Sequence, residues 1–133
     1  MAADGKALLK RAHEARGFHL GVHEIMADSD PDYLEQYQTF LEFAYTGSRH
    51  LDRKTKEIMH VVADVTLATD VDQVAAHLLA AKDHGASEDE LREVCLMMFV
   101  LGGATALLRA MEAWRKAFRP DLPRAYDLIT TAP

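Results

Sequence analysis

The run from Val94 to Leu108 (VCLMMFVLGGATALL) constrains this chain more than any other segment, because it carries no charge and presents no polar face. A bilayer span needs about 20 such residues. This run is shorter, and Glu93 and Arg109 close it on both sides. It is therefore expected to be a buried central helix with no membrane involved, in which Gly102 and Gly103 let another helix approach closely. A chain of 133 residues struggles to cover such a helix on every side, so association with copies of itself is expected.

The rest of the chain is punctuated as a helical protein. Gly and Pro are few and fall between apolar-periodic segments. A first helix is expected from about Lys6 to Ala27. Asp30 then serves as an N-cap and Pro31 as the first residue of a second helix, ended by Gly47. Tyr33, Leu34, Tyr37, Phe40, Leu41 and Ala44 form its apolar face. A third helix runs from about Arg53 to Ala68 with Ile58, Val61, Val62 and Val65 inward. A fourth runs from about Val71 to His84 with Val74, Leu78 and Ala81 inward, and stops at Gly85. Ser87 and Glu90 make a capping box for a helix from Glu88 to about Phe118, bent at Gly102-Gly103, and Pro120 and Pro123 mark an irregular tail. With no strand-like alternation and no repeat, the expectation is a single all-α domain over residues 1–133, with about five to six helices.

Charge and sulfur narrow the function. A net charge of -6 speaks against a nucleic-acid partner, which calls for a basic face. One cysteine, Cys95, rules out an intrachain disulfide, a Cys-X-X-Cys redox pair and a Cys-rich zinc site. In its apolar run that thiol is expected to be buried, protonated and inert. Met1 to Arg16 hold no apolar stretch of signal length, so a cytoplasmic protein is expected.

Two helices carry chemistry. Asp70, Gln73 and His77 stand at i, i+3 and i+7 and share one stripe. An imidazole flanked by a carboxylate and an amide can bind a polar substrate and move a proton near neutral pH. Asp70 and Gln73 fit a capping box equally well, with both side chains held on the helix's own N–H groups. Glu57, His60 and Asp64 repeat the i, i+3, i+7 spacing on the preceding helix. They are either a solvated polar face or a face turned toward His77 to line a cleft. In a cleft, His77 could be replaced with little effect on stability. His19 and His23, one turn apart with Glu24 beside them, have the geometry of a metal pair, but no zincin motif and no third ligand accompany them. A structural or interface role is expected there.

The segments Leu51-Asp52-Arg53-Lys54-Thr55-Lys56-Glu57-Ile58, His77-Leu78-Leu79-Ala80-Ala81 and Gly85-Ala86-Ser87-Glu88-Asp89-Glu90-Leu91-Arg92-Glu93, together with Gly102, resemble the carboxymuconolactone decarboxylase family. That family shares its helical fold with the alkylhydroperoxidase-D-like proteins. The motif-bearing core, residues 51–103, is roughly two-fifths of the chain. The resemblance implies His77 and Glu57 as catalytic groups, the first as the shared histidine and the second as a proton-relay glutamate, although the stretch between them is one residue longer here. It makes Gln73, Asp70 and His60 candidates for substrate contact. Where the peroxidase branch has two cysteines, seven and four residues before the histidine, this chain has Asp70 and Gln73, so a thiol peroxidase mechanism lacks both sulfurs. Where the decarboxylase branch looks to have a Glu, this chain has the amide Gln73. The implied function is decarboxylation of, or proton transfer on, a small carboxylated lactone or related aromatic-breakdown intermediate. No metal or organic cofactor is expected, and the protein is expected as a homo-oligomer, a trimer or hexamer. A peroxidase-like antioxidant and a non-catalytic small-molecule-binding oligomer are the alternatives.

Overall fold

The computed structural model describes residues 2–125 and 127. These residues are helical with no strand, the all-α class expected from the sequence. The chain divides into two compact units, Met1–Arg53 and Lys54–Pro133.

The first unit holds α1 (Gly5–Arg16), α2 (Gly21–Ser29) and α3 (Pro31–Leu41), the last running into a π-helical turn at Glu42–Thr46. Asp4 caps α1 by accepting from the backbone N–H groups of Lys6 and Ala7. The single helix expected over Lys6 to Ala27 is in fact two. Gly17 adopts φ +89° and its N–H bonds the His13 carbonyl, which ends α1 in a left-handed residue that glycine tolerates. The chain restarts from extended Leu20. Asp30 and Pro31 behave as expected, with the Asp30 carboxylate accepting from the Tyr33 N–H. The apolar face expected on α3 is narrower than its sequence pattern: Leu34 and Gln38 point inward with Tyr45 of the π turn, while Tyr33 and Phe40 are exposed. Arg11 clamps the Glu42 carboxylate with two hydrogen bonds of 2.8 and 2.6 Å. Arg53 donates to the carbonyls of Ala15 and Arg16 at the end of α1.

His23 has the structural role expected of it, and it does not pair with His19. The Leu20 backbone N–H donates to His23 Nδ1 at 2.9 Å, so the buried ring caps the start of α2. His19 turns instead to His13 and to Glu24, at 3.2 and 2.7 Å.

In the second unit α4 (Arg53–Thr66) and α5 (Val71–Asp83) lead into α6 (Glu88–Phe118). The Ser87–Glu90 capping box forms as expected, and Gly85 follows α5 with positive φ. Val61, Val65, Val74, Leu78, Ala81 and Leu91 make the centre of the core, with Ile58 and Val62 packed at its edge.

The bend expected in α6 is a reversal. Trp114 Nε1 donates to the carbonyl of Glu88 at 3.2 Å, yet a continuous helix would carry residues 88 and 114 about 39 Å apart. The chain therefore folds back on itself at Gly103, whose φ of 81° and ψ of -170° lie in a region essentially restricted to glycine. The glycine serves this reversal rather than close packing by another helix, since no neighbouring atom lies within 4 Å of where its Cβ would be. By length and composition alone α6 would pass as a membrane crossing. As a hairpin, each arm is about 22 Å long, against a hydrocarbon core of about 30 Å. The expected burial of the apolar run on every side is not seen within one chain: Cys95, Met98 and Ala106 are buried, while Phe99, Val100 and Leu101 near the tip are exposed, Val100 by 74%.

Two stability outcomes follow from these features. Gly103→Ala places a Cβ in a disfavoured backbone region and is expected to cost about 1–3 kcal/mol in urea unfolding. A substitution without effect would mean that the reversal tolerates a side chain. The His23 ring is driven from the ordinary 6.5 to about 4, first by burial and then by the charges of Arg16 and His19. Between those values the unfolded chain binds more protons than the folded one, so stability falls as pH drops through this window. The loss is up to about 2 kcal/mol between pH 7 and pH 5, and the His23 share of the slope should vanish in His23→Gln. An unchanged slope in that variant would assign the pH dependence to other groups.

Candidate active site

A proton-transfer site needs a titrating group held by a partner that sets which nitrogen carries the proton. In the second unit, α4 and α5 supply both. His77 Nδ1 lies 2.6 Å from Glu57 Oε2, with Glu57 at 0% and His77 at 4% exposure. With the carboxylate as acceptor, Nδ1 is the donor of this bond, and Nε2 faces the other side of the ring. There it lies 3.6 Å from Asp64 Oδ2. Gln73 Nε2 donates to the same oxygen at 3.3 Å. The His60 ring stacks on the His77 ring, centroids 4.3 Å apart and planes 1° from parallel.

The local sequence produces this cluster. Glu57, His60 and Asp64 occupy one face of α4, and Gln73 and His77 occupy one face of α5, beside its Val74, Leu78 and Ala81 core stripe. The polar face of α4 is thus not solvated: Glu57 and Asp64 are buried and turn toward His77. His77 does not line an open cleft either; it is buried, so its replacement will be felt in stability. Of the candidates, Glu57, His60, Gln73 and His77 come together. Asp70 does not join them: its carboxylate accepts from the Asp72 N–H and caps α5. Gln73 is not the second half of that cap, because its amide points to Asp64. Asp64 was visible in the sequence only as the third member of the α4 stripe. One of its oxygens faces both the His77 ring and the Gln73 amide.

Two further groups, Cys95 and Arg109, stand elsewhere. Cys95 is fully buried in α6, and burial pushes its thiol up to about 12, far from the reactive range. Arg109 donates to the Thr69 carbonyl and lines a separate open cavity of about 410 Å³ to which none of the five cluster residues contributes.

Residues 31–116 match the family model described as the carboxymuconolactone decarboxylase family, a span that runs past the recognisable motifs on both sides. No curated protein and no solved structure gives a match.

Proposed function

The chain belongs to the carboxymuconolactone decarboxylase family, and on that footing we propose that it is a lyase that decarboxylates, or moves a proton on, a small carboxylated lactone or related aromatic-breakdown intermediate. The observation that carries this is the buried Glu57–His77 pair. Loss of CO2 from a γ-carboxylated unsaturated lactone breaks the bond between the ring carbon and its carboxylate. The electron pair stays in the ring as a dienolate whose charge collects on the lactone oxygen, and one proton must be delivered to carbon. His77 in its protonated form donates from Nε2, Glu57 steadies the imidazolium through Nδ1, and water restores the proton. Gln73 and His60, both half-buried, form the edge of the cluster that reaches solvent and are the proposed substrate contacts; the Gln73 amide offers a donor to the developing oxyanion. With Asp70 engaged as a cap, we assign it no substrate contact.

The starting carboxylate needs a cation. Arg109 faces the other cavity and Arg53 holds the end of α1, so an arginine from a second copy is the proposed source. The exposed apolar tip of α6 supports such an assembly, a trimer or hexamer of this chain working in the cytoplasm. Sedimentation at micromolar concentration is expected to show a species several times the 14.8 kDa chain mass. A single species of chain mass would sink this part of the proposal.

For the dyad, His77→Asn is expected to lower turnover of a γ-carboxylated lactone by about 10²- to 10⁴-fold, the scale of a lost general acid. It also leaves Glu57 buried without its partner and should destabilise the fold by about 3–5 kcal/mol. The double variant Glu57→Gln/His77→Asn separates the two effects: an amide pair restores much of the melting temperature but not the activity. Turnover that survives in folded His77→Asn protein would remove His77 from the mechanism. No turnover by the unaltered protein would remove the decarboxylase reading and favour a binding role.

A further inference from the structure

We propose that His60, Asp64 and His77 form a binding site for one divalent first-row transition-metal ion, with Glu57 as the outer carboxylate on His77. The site shares its residues with the proposed decarboxylase, but the argument for it does not depend on that activity. One donor atom from each of the three residues lies within 4.8 Å of the other two. His60 and Asp64 are one turn apart on α4, and His77 meets them from α5. Two imidazoles and one carboxylate are a donor set suited to zinc or ferrous iron. Glu57 on Nδ1 supplies what ligating histidines commonly have, a carboxylate that fixes the ring and leaves Nε2 as the metal-facing atom.

The placement of His77 Nε2 points the same way: it lies 3.6 Å from Asp64 Oδ2, so the ring nitrogen turned away from Glu57 and a carboxylate oxygen face one small space. The same oxygen accepts from Gln73 Nε2 at 3.3 Å, a contact that a bound ion would share or displace.

Loading requires a rearrangement. Donors each about 2.1 Å from one ion stand about 3.4 Å apart in a tetrahedral site, so the widest separation in the cluster must close by up to about 1.4 Å. A shared ion also lies near the plane of each ligating ring, which two parallel stacked rings cannot both satisfy. The His60 ring, half-buried at the edge of the cluster, is the one that turns out of the stack. Because the ion occupies the Nε2 lone pair, metal and transferable proton exclude each other at His77, and a loaded site is silent as a general acid.

The test titrates metal-stripped protein with Co²⁺, read by its visible absorption, and competes it with Zn²⁺. It is run in a His19→Ala background so that the exposed His13–His19–Glu24 group does not contribute. One equivalent per chain is expected. Glu57→Gln should weaken binding by roughly 10- to 100-fold, the usual effect of losing an outer partner, and His60→Ala and Asp64→Asn should each weaken it further. Circular dichroism without metal checks that each variant is folded; His60→Ala removes a half-buried ring and keeps the test open if Asp64→Asn does not fold. No saturable cobalt binding, or binding that His60→Ala leaves unchanged, overturns the proposal. No substrate is present in this experiment. Its failure therefore removes the metal site alone, and a lack of lactone turnover removes the decarboxylase reading alone.

Discussion

The contact between Glu57 and His77 sets the terms for the second unit. A carboxylate with no exposed surface is costly to remove from water, and the cost is offset only by a partner with good geometry. The 2.6 Å contact to His77 Nδ1 provides that partner, so the polar face of α4 and the histidine face of α5 are held in register by chemistry, not only by apolar packing. A pair of this kind is weak evidence for stability, because apolar residues of similar volume often serve a core equally well or better. Its presence is better explained by what the two groups do together: the carboxylate selects the tautomer, and the tautomer aims Nε2 at Asp64.

The remaining architecture keeps α5 in place for this. Val74, Leu78 and Ala81 are buried in a core that draws on both arms of α6, Leu91, Cys95 and Met98 from one, Ala106, Ala110 and Ala113 from the other. That arrangement exists because the chain reverses at Gly103, which brings Trp114 back to the first turn of the same helix. A straight α6 could not place both sets of side chains in one core. The small residues of the second arm and the larger ones of the first divide the space, and the tip is left with Phe99, Val100 and Leu101 uncovered in the single chain.

Much of this was legible in the sequence, for physical reasons that differ by feature. Caps and breakers act over a few residues, so Asp30-Pro31, Ser87-Glu90 and Gly85 declared their elements directly. The all-α class and the inward stripe of α5 followed from periodicity alone. Gly17 falls inside the single helix expected over Lys6 to Ala27, because nothing local distinguishes a weak helical glycine from a left-handed terminus. Gly103 was marked as a bend; its reversal depends on a contact between residues 26 positions apart, which no local pattern encodes. The site was half legible. Spacing put Glu57, His60 and Asp64 on one face and Gln73 and His77 on another, yet whether those faces meet water or each other is a tertiary fact. The same limit explains Asp70 and Gln73: both fit one capping box, and only the fold assigns the first to the helix end and the second to Asp64.

The placement of sulfur bears on which chemistry this site can support. A thiol peroxidase needs an attacking thiolate and a second thiol within reach to resolve the oxidised product. The two positions ahead of His77 that resemble the peroxidase cysteines carry a cap and an amide donor. The chain's one cysteine is fully buried in α6, its thiol pushed up to about 12. What survives around His77 is an acid–base set: one imidazole fixed by Glu57, a second carboxylate opposite, an amide donor, and a second imidazole stacked on the first. Neither the proton transfer nor the metal binding proposed for this set requires a change in the oxidation state of the protein. The family membership and the missing sulfurs are thus consistent with one another: the helical frame holds Glu57 and His77 in contact, and that contact, not a thiol, is what the proposed proton transfer rests on.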